Sequence, residues 1–376
     1  MLYYSMATWS YFFAVNFIIC LTVSPLQGQT KPTPEKPVRI GVVGLVHAHV
    51  HGILSRKRDL GDLEIVGIAE PNEALATRLL SQHRLDKKLW HKDLATMLDQ
   101  AKPEAVTIFT STFDHLEVVK VCAAHGIHVM MEKPLAVSMA HATAMAKAAK
   151  ANKVQLLVNY ETTWYRSNHH AYALAHDEKA LGDLRKIVVH DGHQGPIEIG
   201  CNEEFLEWLT DPVLNGGGAL TDFGCYGANL ITWLMDNERP LTVTAVTQQI
   251  KPDKYPKVDD EATILLTYPK CQGIIQASWN WPYNRKDMEV YGADGYANTM
   301  ANHSIKLKDT SAPAKAVRSP ARPKPYDDPF AYLAARVRGT AEPDELSSLK
   351  NNLIVTEILD AARHSANTGQ VVRLAD

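Results

Sequence analysis

Three short stretches carry side chains whose types and spacing could do chemistry. Glu132-Lys133-Pro134 directly follows the strand-like run Ile127–Met131. A lysine at the carboxyl end of a parallel strand points into the crevice where such sheets bind ligands, and the proline fixes the chain as it leaves the sheet. From there it can hydrogen-bond a substrate hydroxyl and exchange its proton. Standing alone, Glu-Lys-Pro would read as an ordinary surface turn. The second stretch, Gly41-Val42-Val43-Gly44-Leu45-Val46-His47-Ala48-His49, sits between a strand and a helix, where a dinucleotide fingerprint belongs. That fingerprint uses three glycines: for the tight turn, for backbone approach to the pyrophosphate, and for helix–strand packing. Gly44 keeps the first, while Val46 and His49 replace the other two. The helix N-terminus still offers free N–H groups to a phosphate. Glu70 ends the next strand, near the ~20-residue spacing of the acid that binds the ribose hydroxyls and favours NAD over NADP. The competing reading is a Rossmann-like domain that no longer holds a dinucleotide. In the third stretch His47, His49 and His51 alternate, and His47 and His51 have the spacing of two metal ligands on a helix. No third acidic or cysteine ligand is evident nearby, so hydrogen bonding at the helix end or pocket lining is preferred and no metal is assigned.

The elements that must position these residues follow from the pattern. Val38–Gly44 and Leu63–Ala69 are short buried-strand runs with a helical stretch between them, the start of a parallel α/β sheet. Ala105–Phe109, Ile127–Met131 and Val154–Val158 continue the series, separated by helical patterns over His115–His125 and Ser138–Asn152. This predicts a doubly wound parallel domain over 38–157 and a second domain over 158–376. In the second, Ile187–His190, Leu241–Gln249, Glu261–Tyr268, Gln272–Trp279 and Met288–Tyr291 read as strands with few helices between them, hence a mostly antiparallel sheet. Ser311–Asp328, rich in Pro, Ala, Lys and Arg, reads as a surface arm, and a helix over Glu345–Ala366 ends near Gly369.

Taken together, several motifs resemble the Gfo/Idh/MocA oxidoreductase family over about 38–376. They are Thr110-Ser-Thr-Phe-Asp-His115, Glu132-Lys133-Pro134, the stretch Gly216-Gly-Gly-Ala-Leu-Thr-Asp222-Phe-Gly224-Cys-Tyr226-Gly-Ala-Asn229, and Ile358–Gly369. The resemblance implies an α/β protein: an N-terminal Rossmann sheet, then a C-terminal α/β domain with a large open sheet. It also implies NAD(P)-dependent hydride transfer on sugars or related alcohols. Lys133 and Asp222 match the family's catalytic lysine and aspartate. Tyr226 stands where many members have histidine, and with Asn229 it is similar to the glucose–fructose oxidoreductase and dihydrodiol dehydrogenase branch. On this reading Lys133 positions the reacting hydroxyl and helps move its proton, Tyr226 donates or accepts the proton, and Asp222 orients the substrate and tunes Lys133. Independently of family, residues four apart such as Asp222 and Tyr226 would share one helix face. Cofactor contacts are expected from Gly44, Leu45, Val46, His47 and Glu70, and from Thr110, His115, Glu132 and Lys133. NAD is expected rather than NADP. Substrate contacts are expected from Asn159, His193, Trp281 and Arg285, because aromatic faces stack on sugar rings and polar tips bind hydroxyls. Two alternatives stay open: an exported glycoside-cleaving lyase or hydrolase that uses tightly bound NAD for transient sugar oxidation, and a sugar-binding protein without cofactor.

Composition bounds the partners. The chain has 376 residues, 45% hydrophobic and 22% charged, with a formal net charge of −3, which gives no basic field for nucleic acid. A small-molecule sugar or glycoside is the expected partner, with a homo-oligomer forming through the C-terminal sheet. Phe12–Val23 is an apolar run of signal-peptide length, shorter than the ~20 residues of a spanning helix. This predicts a leader over 1–28, a proline-rich linker over 29–37, a periplasmic or secreted protein, and no stable membrane insertion once the leader is removed. No twin arginine is present. Beyond Cys20, the cysteines Cys122, Cys201, Cys225 and Cys271 show no CxxC or zinc spacing and read as spare thiols, with one structural disulfide as the alternative.

Overall fold

The computed structural model describes residues 36–57, 60–311 and 313–374. The leader predicted over 1–28 and the linker up to residue 35 lie outside the described residues.

Six strands form the first sheet: β1 (Val38–Val43), β2 (Leu63–Ala69), β3 (Trp90–His91), β4 (Ala105–Ile108), β5 (His128–Glu132) and β6 (Leu156–Asn159). Their order is β3-β2-β1-β4-β5-β6, and every pairing is parallel. Helices cover both faces, so these strands are runs of buried aliphatics such as Ile40, Val42, Val106 and Ile108. The helices are α1 (Val50–Leu54), α2 (Glu73–Gln82), α3 (Leu94–Ala101), α4 (His115–Ala124) and α5 (Met139–Asn152). Side chains of Asn72, Asp93 and Ser138 accept N-terminal amides of α2, α3 and α5, which fixes where each helix starts. Strand order reverses between β1 and β4, so the ligand crevice of such a sheet lies at their carboxyl ends. β3 has two residues and no apolar run, and the sequence pattern missed it. α1 has only five residues, which weakens its dipole at the glycine turn.

A second sheet of nine strands follows. Its members are β7 (Leu184–Gly192), β8 (Thr242–Gln248), β9 (Glu261–Thr267), β10 (Gln272–Ser278), β11 (Arg285–Gly292), β12 (Gly295–Met300), β13 (Ser304–Asp309), β14 (Lys315–Arg318) and β15 (Val372–Arg373). They run in the order β14-β13-β12-β11-β7-β10-β9-β8-β15. All pairings are antiparallel except β7 with β10. β12 to β14 were not foreseen. Their sequences mix charge and small polar residues, and the expected surface arm over Ser311–Asp328 in fact contains β14, paired to β13.

Four further helices lie between β6 and β8: α6 (Arg166–Tyr172), α7 (Glu203–Leu209), α8 (Ala219–Asp222) and α9 (Gly224–Leu234). Every residue of α9 is buried, so it has no polar stripe to give a 3.6-residue signal. α9 packs on β7 and β10. α10 (Pro329–Arg338) and α11 (Leu349–Thr368) complete the chain. The helix expected over Glu345–Ala366 is interrupted: Glu345–Ser347 form a separate turn, and Ser348 caps α11. α10 packs on the first sheet. Phe330, Tyr332 and Leu333 join the core of the first sheet with Ile40, Ile53 and Leu79, so the chain returns to its first domain late. Arg56 secures the return by bonding Asp328, which caps α10. Cys122, Cys201, Cys225 and Cys271 are free thiols. Among the described residues, no helix is long and apolar enough to cross a membrane.

Candidate active site

The carboxyl ends of β1, β2, β4, β5 and β6 deliver Gly44, Glu70, Thr110, Glu132-Lys133 and Asn159 to one rim of the first sheet. The Lys133–Pro134 peptide is cis. Lys133 Nζ lies 2.5 Å from Asp222 Oδ1 and 3.0 Å from the Asp222 carbonyl, and both side chains are buried. Burial disfavours the ammonium. The Asp222 charge and hydrogen bond, with Cys225 and Glu132, overcome that, and the Lys133 pKa stands above the ordinary lysine value. Burial likewise works against the Asp222 carboxylate, but Lys133, His193 and Trp279 leave its pKa lowered. The pair is therefore a charged ion pair across the two halves of the chain.

Tyr226 completes the group, with Lys133 Nζ 5.1 Å and Lys286 Nζ 4.6 Å from its ring centre. Asp222 and Tyr226 do not share one helix: Asp222 ends α8, Phe223 breaks the run, and Tyr226 belongs to α9. The break lets the aspartate face Lys133 through both its carboxylate and its carbonyl. Burial raises the Tyr226 phenol well above its usual range. It therefore stays a neutral phenol.

The glycine turn shows how a dinucleotide would be met. Gly44 has φ +78°, and a Cβ there would stand 2.6 Å from Thr110 Cγ2 and 2.9 Å from the Thr110 amide. Glycine is thus required by backbone and by contact. Leu45 is buried, Val46 is half-buried, and Glu70 accepts the Leu45 amide at 2.8 Å and the Asn72 amide at 2.9 Å. Burial raises the Glu70 pKa despite those bonds. Glu70 therefore ties the turn. Arg78, the nearby cation that could attract a ribose phosphate, is ion-paired with Glu204 of α7.

His47 is buried beneath Phe205 and Trp208 of α7, at 4.9 and 5.5 Å between ring centres. Its Nδ1 accepts the His49 amide, and its Nε2 has no partner. Burial, with His49, Lys133 and His115, pulls its pKa well down. A neutral imidazole with Nδ1 accepting carries its proton on Nε2, so the turn holds a buried donor in want of an acceptor. This orphaned donor and the Gly44 cradle fit a dinucleotide phosphate or carboxamide. The histidine series also gains what the sequence did not reveal. One atom each from His47, His49 and Glu132 lie within 4.8 Å of one another, and His49 Nδ1 is 2.9 Å from Glu132. His51, in contrast, turns to His83. The lone pair of His47 Nδ1 is already used, which argues against metal ligation there.

The remaining predicted residues divide. Thr110 backs Gly44. His115 is buried at the start of α4, bonded to the Leu135 carbonyl, and burial lowers its pKa to about 4. Asn159 supports the site from behind, donating to Glu132 at 2.8 Å and accepting from Trp164 at 2.9 Å. His193 lies edge-on to Phe223 at 4.9 Å, next to Asp222. Trp281 packs against Gly192. Arg285 is placed elsewhere: it pairs with Asp287 on the sheet face opposite Tyr226, while its neighbour Lys286 points inward. Side chains alternate along a strand, so a one-residue difference exchanges the faces. Trp279 was missed. Fully buried, it donates its indole N–H to Asp222 Oδ2 at 3.0 Å. It continues the buried phase of Ile275 and Ala277 on β10, a pattern that Trp281, two residues on, shares in the sequence.

These halves of the chain match two descriptions of one family. Residues 38–160 match the oxidoreductase family with an NAD-binding Rossmann fold, and residues 171–298 match the GFO/IDH/MocA C-terminal domain. The chain belongs to the Gfo/Idh/MocA family. It is similar to trans-1,2-dihydrobenzene-1,2-diol dehydrogenase of Xenopus tropicalis, with 28% identity over 221 residues, 58% of this chain and 61% of that protein. The match thus spans about three-fifths of that relative's length. In fold it is similar to the aldose–aldose oxidoreductase of Caulobacter crescentus in complex with glycerol, with a TM-score of 0.77, 21% identity, and coverage of 90% of this chain and 100% of the other. It is also similar to an inositol dehydrogenase homologue of Azotobacter vinelandii in complex with NAD+, with a TM-score of 0.78, 20% identity, and coverage of 90% and 98%.

Proposed function

We propose that the protein is an NAD-dependent oxidoreductase that interconverts a hydroxyl and a carbonyl on a sugar or related polyol. The observation that carries this reading is the buried Lys133–Asp222 ion pair beside Tyr226 at the carboxyl end of β5. Gly44, Leu45, Val46, His47, Glu70, Thr110 and His115 would hold the dinucleotide, which supplies a hydride acceptor when bound. Lys133, kept as an ammonium, donates to the reacting oxygen and lowers the cost of negative charge there. The hydroxyl proton passes to Lys133 as that group yields one to the Asp222 carboxylate. In the reverse direction the same relay returns the proton from Asp222 through Lys133 to the developing alkoxide, and the neutral Tyr226 phenol is placed to donate a hydrogen bond to that oxygen. His193, beside Asp222, contacts the substrate, and Asn159 fixes Glu132.

The named chemistry of the relatives supports the substrate class: a dihydrodiol, an aldose and an inositol are all neutral and carry two or more hydroxyls. Incubating the protein with NAD and a panel of aldoses, inositols and glycosides tests the reading. Net NADH release from a free polyol supports it. Glycoside cleavage without added NAD would favour the lyase reading, and a protein that binds sugar but no dinucleotide would favour a simple binding role. The same reading includes export and a homo-oligomer formed through the outer face of the nine-stranded sheet, where Val246, Tyr291 and Met300 stand exposed.

A further inference from the structure

On the helix-covered face of the second sheet, three neighbouring strands lose their apolar character at the same end. β7 presents Ile187, Val189 and then Asp191; β11 presents Val290, Met288 and then Lys286; β10 presents Ile275, Ala277 and then leads to Trp279. Asp191 and Lys286 are cross-strand partners, so their side chains stand side by side. Lys286 bonds Glu161 and lies over the Tyr226 ring, and Trp279 bonds Asp222. Asp191 alone among these polar groups is left over. It is 1% exposed, and neither carboxyl oxygen has a hydrogen-bond partner.

A buried polar group without a partner is costly and needs a reason. Lys286 and Lys133 attract its charge but do not bond it, each being paired with another carboxylate. Burial raises the Asp191 carboxyl well above the ordinary range, against the pull of Lys286. A neutral carboxyl both donates and accepts, as a hydroxyl does. The Tyr160 hydroxyl, whose ring meets Tyr226 edge-on, is likewise buried without a partner. With both lysines neutralised by their own acids, these two open groups suit an uncharged ligand.

We infer that Asp191 is a substrate-binding residue, holding a second hydroxyl of the polyol whose first hydroxyl meets Lys133 and Tyr226. This rests on the polyol reading above and adds a specificity residue to it. Two substitutions with opposite expectations test it. Asp191→Leu removes an unsatisfied polar group, so the protein becomes more stable to heat while losing sugar affinity. Asp191→Asn keeps one donor and one acceptor, and retains affinity.

Titration calorimetry of the NAD-loaded protein with glucose and with myo-inositol reads the affinity, and NADH formation is followed in parallel. The expected result is a loss of about tenfold or more in sugar affinity for Asp191→Leu, with Asp191→Asn within about threefold of the native protein and NAD affinity unchanged in both. Equal sugar affinity in the native protein and Asp191→Leu overturns the inference. So does a Leu variant that loses heat stability and sugar affinity together, or a native protein that binds neither sugar. Sugar binding that is sensitive to Asp191→Leu but never yields NADH leaves the inference standing and overturns the redox reading instead.

Discussion

Trp279 Nε1 donates to Asp222 Oδ2 at 3.0 Å while Lys133 holds Oδ1, so the two carboxylate oxygens are fixed by two different donors. The indole bond helps keep Asp222 ionised. Trp279→Phe should therefore raise the Asp222 pKa and shift the acid limb of the kcat profile to higher pH. The expected loss in kcat at neutral pH is about tenfold, and the lost bond costs about 1 kcal/mol of stability. An unshifted pH profile would show that the indole only fills space.

Gly44→Ala combines a positive φ with a close approach to Thr110. The expected cost is about 2–4 kcal/mol. NAD affinity should fall at least tenfold, because the turn that presents the Leu45 and His47 groups must move. Chemical unfolding and dinucleotide titration read the two effects separately.

Much of this turn was legible in the sequence, because Gly44 and Glu70 sit at the ends of strands that announce themselves by their aliphatic runs. The Lys133–Asp222 pair was legible only through the family resemblance, since nothing in their spacing of 89 residues joins them. Asp191 and Lys286 could not be read as neighbours, because their juxtaposition depends on the register between β7 and β11. Arg285 was chosen over Lys286 for the same reason. The extent of α9 escaped because a helix buried on all sides shows no stripe. The late return of α10 escaped because local patterns do not say which sheet an amphipathic helix will cover.

Acid should destabilise the protein through its buried histidines. Burial brings His115 to about 4, and His169 likewise to about 4, from an ordinary 6.5. The unfolded chain takes up these protons more readily, so the stability from neutral His115 is fully present above pH 6.5 and is lost as pH falls through 4. For His115 the loss is on the order of 2–3 kcal/mol. Urea unfolding of the native protein and of His115→Gln between pH 7 and pH 4 checks this: the variant should lose less stability over that window.

NAD should bind at least tenfold more tightly than NADP. Glu204 lies close enough to Glu70 to repel its charge, so two carboxylates stand near the end of β2, and Arg78 is already engaged by Glu204. Glu70→Ala should weaken NAD and narrow the preference, because it removes both the repulsion and the tie to the Leu45 and Asn72 amides. Equal or tighter binding of NADP by the native protein would show that Glu70 does not face the ribose.

The most direct measurement is the rate of NADH formation by Lys133→Ala on the best polyol of the panel. The variant leaves Asp222 buried without its counter-charge, which costs about 3–5 kcal/mol, so its fold is checked by circular dichroism. The double variant Lys133→Met with Asp222→Asn, which removes both charges, is measured beside it. Both should lose at least a thousandfold in kcat, about 4 kcal/mol of barrier, while NAD still binds. A folded Lys133→Ala protein with the native rate would contradict the assignment of this ion pair as the catalytic centre.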